Sequence, residues 1–283
     1  EAALMRRAGY GVRVLCREDL GWEENPKALL EFIRRDLRWC EGNMQYWSFL
    51  TMPGLPPVGR YHIIFAILMF LGSPAWMGML VLGTLALAFT PSTADFIRPG
   101  AGLALFAIVA LMWFSPKLAT AADVLMRPEV RRTFGGTPLF LLNCILEMLF
   151  FTLLCPIMWF GHTMFMAALP FGGSIGWIGQ TRDDHVVPLG DAIRDLWPHT
   201  LLGVGVLAVL AATHPAAIPY ALFLAGVPAL SIPIAVLLSV PAGGRAFARW
   251  GIGRLPEETA PPPLLRELAL PALAAASPLH PTA

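Results

Sequence analysis

Arg35, Arg38 and Trp39 stand at i, i+3 and i+4, a spacing that puts two guanidinium groups and an indole on one patch of a helix. Guanidinium forks bind phosphate oxygens bidentately, and an indole face stacks on the C–H face of a pyranose. The patch therefore suits a pyrophosphate joined to a sugar ring. Asp36 lies in the same string, Arg34-Arg35-Asp36-Leu37-Arg38-Trp39-Cys40-Glu41-Gly42-Asn43, and is grouped with these three as a substrate-binding candidate. The same residues equally suit a basic amphipathic helix lying on anionic headgroups, with Trp39 and Trp47 as interface anchors. A second polar string, Gly179-Gln180-Thr181-Arg182-Asp183-Asp184-His185, separates two apolar stretches. It is either a solvated connection or a gating loop in which Gln180, Arg182, Asp183 and Asp184 approach a nucleotide or an acceptor end.

The element that must carry the patch begins at Asn25-Pro26, which reads as an N-cap followed by Pro at the first helical position. Beyond it Leu30, Ile33, Leu37, Cys40, Met44 and Trp47 recur at three- and four-residue steps, giving one apolar stripe on an amphipathic helix. Before it, Ala2 to Arg7 forms helix, Gly9 stops it and Val12 to Leu15 reads as a short strand. A helix feeding a strand in so few residues is the remnant of an α/β domain, so the chain is expected to be the C-terminal part of a longer protein.

Everything after that is built for a bilayer. The chain is 56% hydrophobic and 14% charged, with mean hydropathy +0.62 and net charge +1, and no basic stripe marks it for nucleic acid. Spans are expected near 61–89, 102–118, 139–155, 156–175, 201–212 and 218–240, with a kink or break at Ser73-Pro74 and a tight hairpin at His214-Pro215. Six spans put 19 of the 20 Lys and Arg on one side, leaving only Arg98 opposite, and the positive-inside rule prefers this to five. The amphipathic helix, the polar loop and the tail then share the cytoplasmic side of a multi-pass membrane protein. Asp191 to Trp197 reads as a short amphipathic surface helix. The expected fold is mainly α and polytopic: 1–58 the end of a cytoplasmic domain, 59–242 transmembrane, 243–283 a Pro- and Ala-rich tail.

Inside the apolar runs, Asn143 and Glu147 sit one turn apart on one face. They are either helix-to-helix glue or the lining of a channel whose cargo needs hydrogen-bond partners. Trp76, Trp113 and Trp159 read as packing or lipid-facing side chains, and His162 as an interfacial residue. Cys16, Cys40, Cys144 and Cys155 lack metal or disulfide spacing and read as free thiols.

Arg35-x-x-Arg38-Trp39 resembles the Gln-x-x-Arg-Trp signature of processive family-2 glycosyltransferases, with Arg in place of Gln. The longer string around it resembles the bacterial glucans biosynthesis glucosyltransferase H family, which makes osmoregulated periplasmic glucans. Three further strings resemble the same family in the same order: Glu1 to Leu15, Gln180 to Asp184, and Leu255-Pro256-Glu257-Glu258. The resemblance runs from Glu1 to about Glu267. It implies a GT-A-type domain ahead of the membrane helices, UDP-glucose as donor, a glucan acceptor, a bacterial inner-membrane location and a periplasmic glucan-processing partner. It implies Arg38 and Arg35 at the diphosphate and Trp39 at the acceptor sugar. A divalent metal, Mg or Mn, is implied for the full-length parent on a D-x-D motif, with a general base three residues before Glu1. Neither motif occurs in this chain, which is expected to bind no metal and to transfer no sugar by itself. The competing class is a non-catalytic membrane subunit or a transporter-like protein.

Overall fold

The computed structural model describes residues 1–17, 21, 23, 25–90, 99–176, 179 and 184–267. Its helices are α1 (Ala2–Arg7), α2 (Leu29–Met44), α3 (Pro57–Ala88), α4 (Pro99–Met126), α5 (Pro128–Thr133), α6 (Thr137–Ala168), α7 (Leu189–Thr213), α8 (Ile218–Ala221), α9 (Val227–Ala229), α10 (Ser231–Leu238), α11 (Pro241–Arg249) and α12 (Pro256–Thr259). No strand occurs among the described residues. Val12 to Leu15 lies in irregular, largely exposed chain, because a strand needs a neighbour to take its backbone hydrogen bonds and none is present.

The contacts divide the chain into two compact units. One holds 1–16, 23–105 and 149–243; the other holds 17–22, 106–148 and 244–283.

In the first unit, α3 buries Ile63, Ile67, Phe70, Ser73, Met77, Leu80 and Thr84 at steps of three and four, leaving side chains such as Leu68, Met69 and Leu82 exposed. Such an apolar outer face is what a helix offers to lipid. Trp76 stacks on Trp159 with ring centroids 5.3 Å apart, and Phe70 meets His162 edge-on at 5.1 Å. Rising numbers on α3 meet falling numbers on α6, so these stretches run antiparallel. Leu80 packs with Val206 and Leu210 of α7 and with Ala217, Ala221 and Ala225. His214 Nε2 lies 2.9 Å from the Thr90 carbonyl oxygen, which ties the connection between α7 and α8 to the end of α3.

Proline behaves differently from its reading as a breaker. α3 runs through Pro74 and α6 through Pro156, each without a break. Pro156 is completely buried and Pro74 follows the packed Ser73, so packing against neighbouring helices offsets the penalty of the missing N–H. The expected spans 139–155 and 156–175 are therefore one helix. Among the described residues four helices are long and apolar enough to cross a bilayer, or five if the bent pair Pro215–Ala229 and Ser231–Leu238 counts as one, against six expected. Counting charges weighs where loops fall and carries no information on whether Pro156 is packed. The 58° bend in that pair falls at Leu230, where a continuous helix would set the Pro233 ring against the Ala229 carbonyl, and Ser231, fully buried just after the break, lies 3.2 Å from Thr200 of α7. The expected surface helix 191–197 is the first part of α7.

In the second unit, Val124, Phe140 and Cys144 form the core where the end of α4 meets the start of α6. The turn before α6 uses Gly135 and Gly136 at φ of 84° and 90°, a backbone region that L side chains rarely adopt.

Candidate functional site

α2 starts at Leu29, behind Ala28, and not at Pro26. Asn25 does not cap it; its side-chain oxygen accepts a hydrogen bond from Arg35 Nη2 at 3.0 Å. The apolar stripe does what its period demands. Leu30 and Ile33 pack with Leu154 and Ile157 of α6, Leu196 of α7 and Ala235 of α10, and Cys40 packs with Phe70 and Phe165. Beside this stripe, Lys27, Glu31 and Arg34 meet Asp184 at 3.1 Å, His185 at 3.5 Å and Asp195 at 2.8 Å. The end of the polar loop is thus held against the start of α2. Of the gating-loop candidates only Asp184 is described; Gln180, Arg182 and Asp183 lie outside the described residues.

The structure separates the two arginines of the patch. Arg35 is buried, with Asn25 beside one amino group, Glu23 at 3.9 Å from the other, and Phe32 and Trp39 rings 5.1 and 5.2 Å from its guanidinium carbon. Its guanidinium underlies the Trp39 indole. Arg38 is half-buried, and Trp39 is 54% exposed. Trp39 therefore offers a stiff aromatic face, backed by a cation–π contact, to whatever lies outside α2.

Asp36 reaches inward. Its Oδ2 is 2.7 Å from His162 Nε2 on α6, and His162 Nδ1 is 3.0 Å from Ser73 Oγ on α3. Spacing alone did not link residues separated by 126 positions. The one available signal was a histidine inside an apolar run, where a polar ring requires a partner.

In the second unit, Asn143 and Glu147 do not pair with each other. Asn143 donates to the Gly251 carbonyl at 3.3 Å and accepts from the Gly253 N–H at 3.1 Å, while Glu147 pairs with Lys117 of α4. A channel role would require sugar hydroxyls to take over from these partners. Removing one member of the ion pair leaves a charge without its counter-ion in an apolar helix pair. Lys117→Met alone should destabilise the purified protein, and Lys117→Met with Glu147→Leu should recover most of the loss in a thermal-unfolding series; a double variant no better than the single would assign Glu147 another task.

Among the described residues no group of three His, Cys, Asp or Glu side chains is arranged to hold a metal ion. Cys40 is fully buried, and burial, followed by the charges of Asp36 and Glu41, pushes its thiol up to about 12. At pH 8 only about one molecule in ten thousand carries the Cys40 thiolate, the form that reacts. Maleimide should therefore label exposed Cys16 while sparing Cys40 until the protein is denatured. Equal labelling of both would mean that α2 does not stay on its bed.

The chain is 34% identical over 277 residues, 93% of its length, to the glucans biosynthesis glucosyltransferase H of Cupriavidus pinatubonensis. It is 33% identical over 282 residues to the protein of that name in Ralstonia nicotianae, and 34% over 279 residues to that in Pseudomonas entomophila. In each case it spans 32% of the relative, about a third of the length of the curated proteins it matches. No protein-family model matches the chain, and no solved structure matches it significantly.

Proposed function

We propose, from that likeness, that the chain is the membrane-embedded part of a glucosyltransferase that polymerises glucose from UDP-glucose into periplasmic glucan and helps export it across the bacterial inner membrane. The observation that supports this reading is α2. It carries a cationic and aromatic face on an amphipathic helix bound to apolar helices, within a chain similar over nearly its whole length to relatives named glucosyltransferases. In the proposed arrangement α2 and the end of the polar loop, tied together by Lys27 and Asp184, face the cytoplasm, where UDP-glucose is available; the common side expected for the tail followed from six spans and is not carried over. Arg38 holds the diphosphate, and its charge stabilises the UDP that departs with a growing negative charge. Trp39 stacks on the acceptor sugar, with Arg35 beneath the indole fixing its tilt. Asp184, the described member of the gating-loop candidates, is held by Lys27 just ahead of α2. The part of the parent outside this chain supplies the general base and the metal-binding D-x-D.

The test is glucose incorporation from labelled UDP-glucose by membranes carrying the full-length parent, beside membranes carrying only residues 1–283. Polymer is expected from the first and none from the second. No polymer from the parent, with labelled UDP-glucose accumulating inside sealed vesicles, would replace this reading with a transporter-like one.

A further inference from the structure

Asp36, His162 and Ser73 form a continuous polar chain through three helices, packed among Phe70, Phe165 and Cys40. Carboxylate, imidazole and hydroxyl in a row suggest a nucleophilic triad, and the geometry argues against one. Ser73 is 3% exposed in the middle of the 32-residue α3, where no substrate carbonyl can reach it and every nearby N–H serves the helix. An imidazole that hydrogen-bonds Asp36 through Nε2 and Ser73 through Nδ1 leaves all three groups with a partner.

What such a chain does in this place follows from what surrounds it. Besides its apolar bed, α2 makes polar contacts from Glu31 to His185, from Arg34 to Asp195 and from Glu41 to the Ile175 N–H, none of which engages a residue of α3 or α6, and apolar burial by itself is nearly indifferent to a slide or a small rotation of an amphipathic helix. Directional hydrogen bonds buried in low dielectric are not. Asp36 is two residues from Arg38, about 200° around the helix, so it reaches inward while Arg38 lies on the opposite side. Fixing Asp36 on α6, and through His162 on α3, fixes the rotation and height of Arg38 and Trp39 relative to the membrane helices. We propose that Asp36, His162 and Ser73 are a latch of this kind, and that His162 is a positioning residue for the transferase site. The proposal rests on the reading of α2 as the substrate-facing helix.

The test compares His162→Leu, His162→Gln and Ser73→Ala in the full-length parent. It reads kcat and KM for UDP-glucose alongside amide hydrogen exchange over residues 29–44. Leu removes both hydrogen bonds, whereas a Gln amide can donate to Asp36 and accept from Ser73. His162→Leu should lower kcat by about 10- to 100-fold with KM moving less than about threefold, the pattern of a misplaced transition-state contact. Exchange in 29–44 should quicken about tenfold or more. His162→Gln should restore both readouts to within about threefold of the parent. If His162→Leu prevents insertion, Ser73→Ala, which removes only the outer bond, carries the comparison with an expected loss in kcat of about threefold. Faster exchange with unchanged kcat, unchanged exchange, or a His162→Gln variant as impaired as His162→Leu each overturns the latch as a positioning device. A parent that makes no polymer at all defeats the transferase reading instead, and with it the role in positioning, while the exchange comparison still reports whether the latch exists.

Discussion

Arg38→Ala in the full-length parent is expected to cut glucan synthesis by about 100-fold or more, the scale seen when one preorganised donor to a developing negative charge is removed. A departing UDP gathers charge as the glycosidic bond breaks, and a guanidinium placed where that charge develops lowers the barrier more than it tightens ground-state binding. kcat should therefore fall further than KM rises. Arg38→Lys should recover only part of the loss, since an ammonium is a point charge without the planar fork. Insertion and stability should hold, because the buried face of α2 is made by Leu29, Leu30, Ile33 and Cys40 and is untouched. The measurement is labelled glucose incorporated per unit of protein in the membrane; turnover within a factor of two of the parent would remove Arg38 from the site.

The second large effect is structural and falls on Gly203. A Cβ built there would stand 2.3 Å from the Ala225 carbonyl oxygen, 2.3 Å from the Ala229 nitrogen and 2.8 Å from the Ala229 Cα. All three are backbone atoms, so no side chain can turn aside to make room. Gly203→Ala must push α7 away from the segment that follows α8, opening a seam where Ala225 is fully buried. Overpacking of a tight core costs about 1–3 kcal/mol, and a clash with two backbone segments belongs at the upper end. Gly205 is the control, because it lies on the same helix with nothing within 4 Å of the added carbon. Gly205→Ala should be neutral or slightly stabilising through helix propensity. Thermal unfolding of both variants in detergent separates the cases, and a Gly203→Ala as stable as Gly205→Ala would contradict the close approach of these helices.

Legibility in the sequence followed the range of the forces involved. Long apolar stretches dictate helices that cross or line a bilayer, since in hydrocarbon the backbone must satisfy itself within one segment, and no tertiary partner is needed to see this. The stripe Leu30, Ile33, Leu37, Cys40 likewise announces α2 and its buried side. The charged and aromatic string on that helix carries the resemblance to the glucan enzymes, and the comparisons agree with it over nearly the whole chain. Features that depend on a distant partner were not visible. Val12 to Leu15 has strand-forming residues, yet a strand exists only where another offers its ladder. Pro74 and Pro156 carry a local penalty, and it was the packing on either side of each that decided whether the helix broke. Asn25 has a capping side chain, and Arg35 drew it away. Arg35 and Arg38 are indistinguishable by type and separated by one turn, and only the positions of Asn25, Phe32 and Trp39 hold the first beneath the indole while the second stays half-buried. His162 looked like a residue at a membrane boundary, although its ring closes a hydrogen-bonded chain from Asp36 to Ser73. The sequence by itself determined which stretches become apolar or amphipathic helix, because helix formation in an apolar chain is a local matter of backbone hydrogen bonds and hydrophobic period. Tertiary structure alone decided the pairings, because a buried polar group takes whichever complementary partner the fold brings within about 3 Å of it.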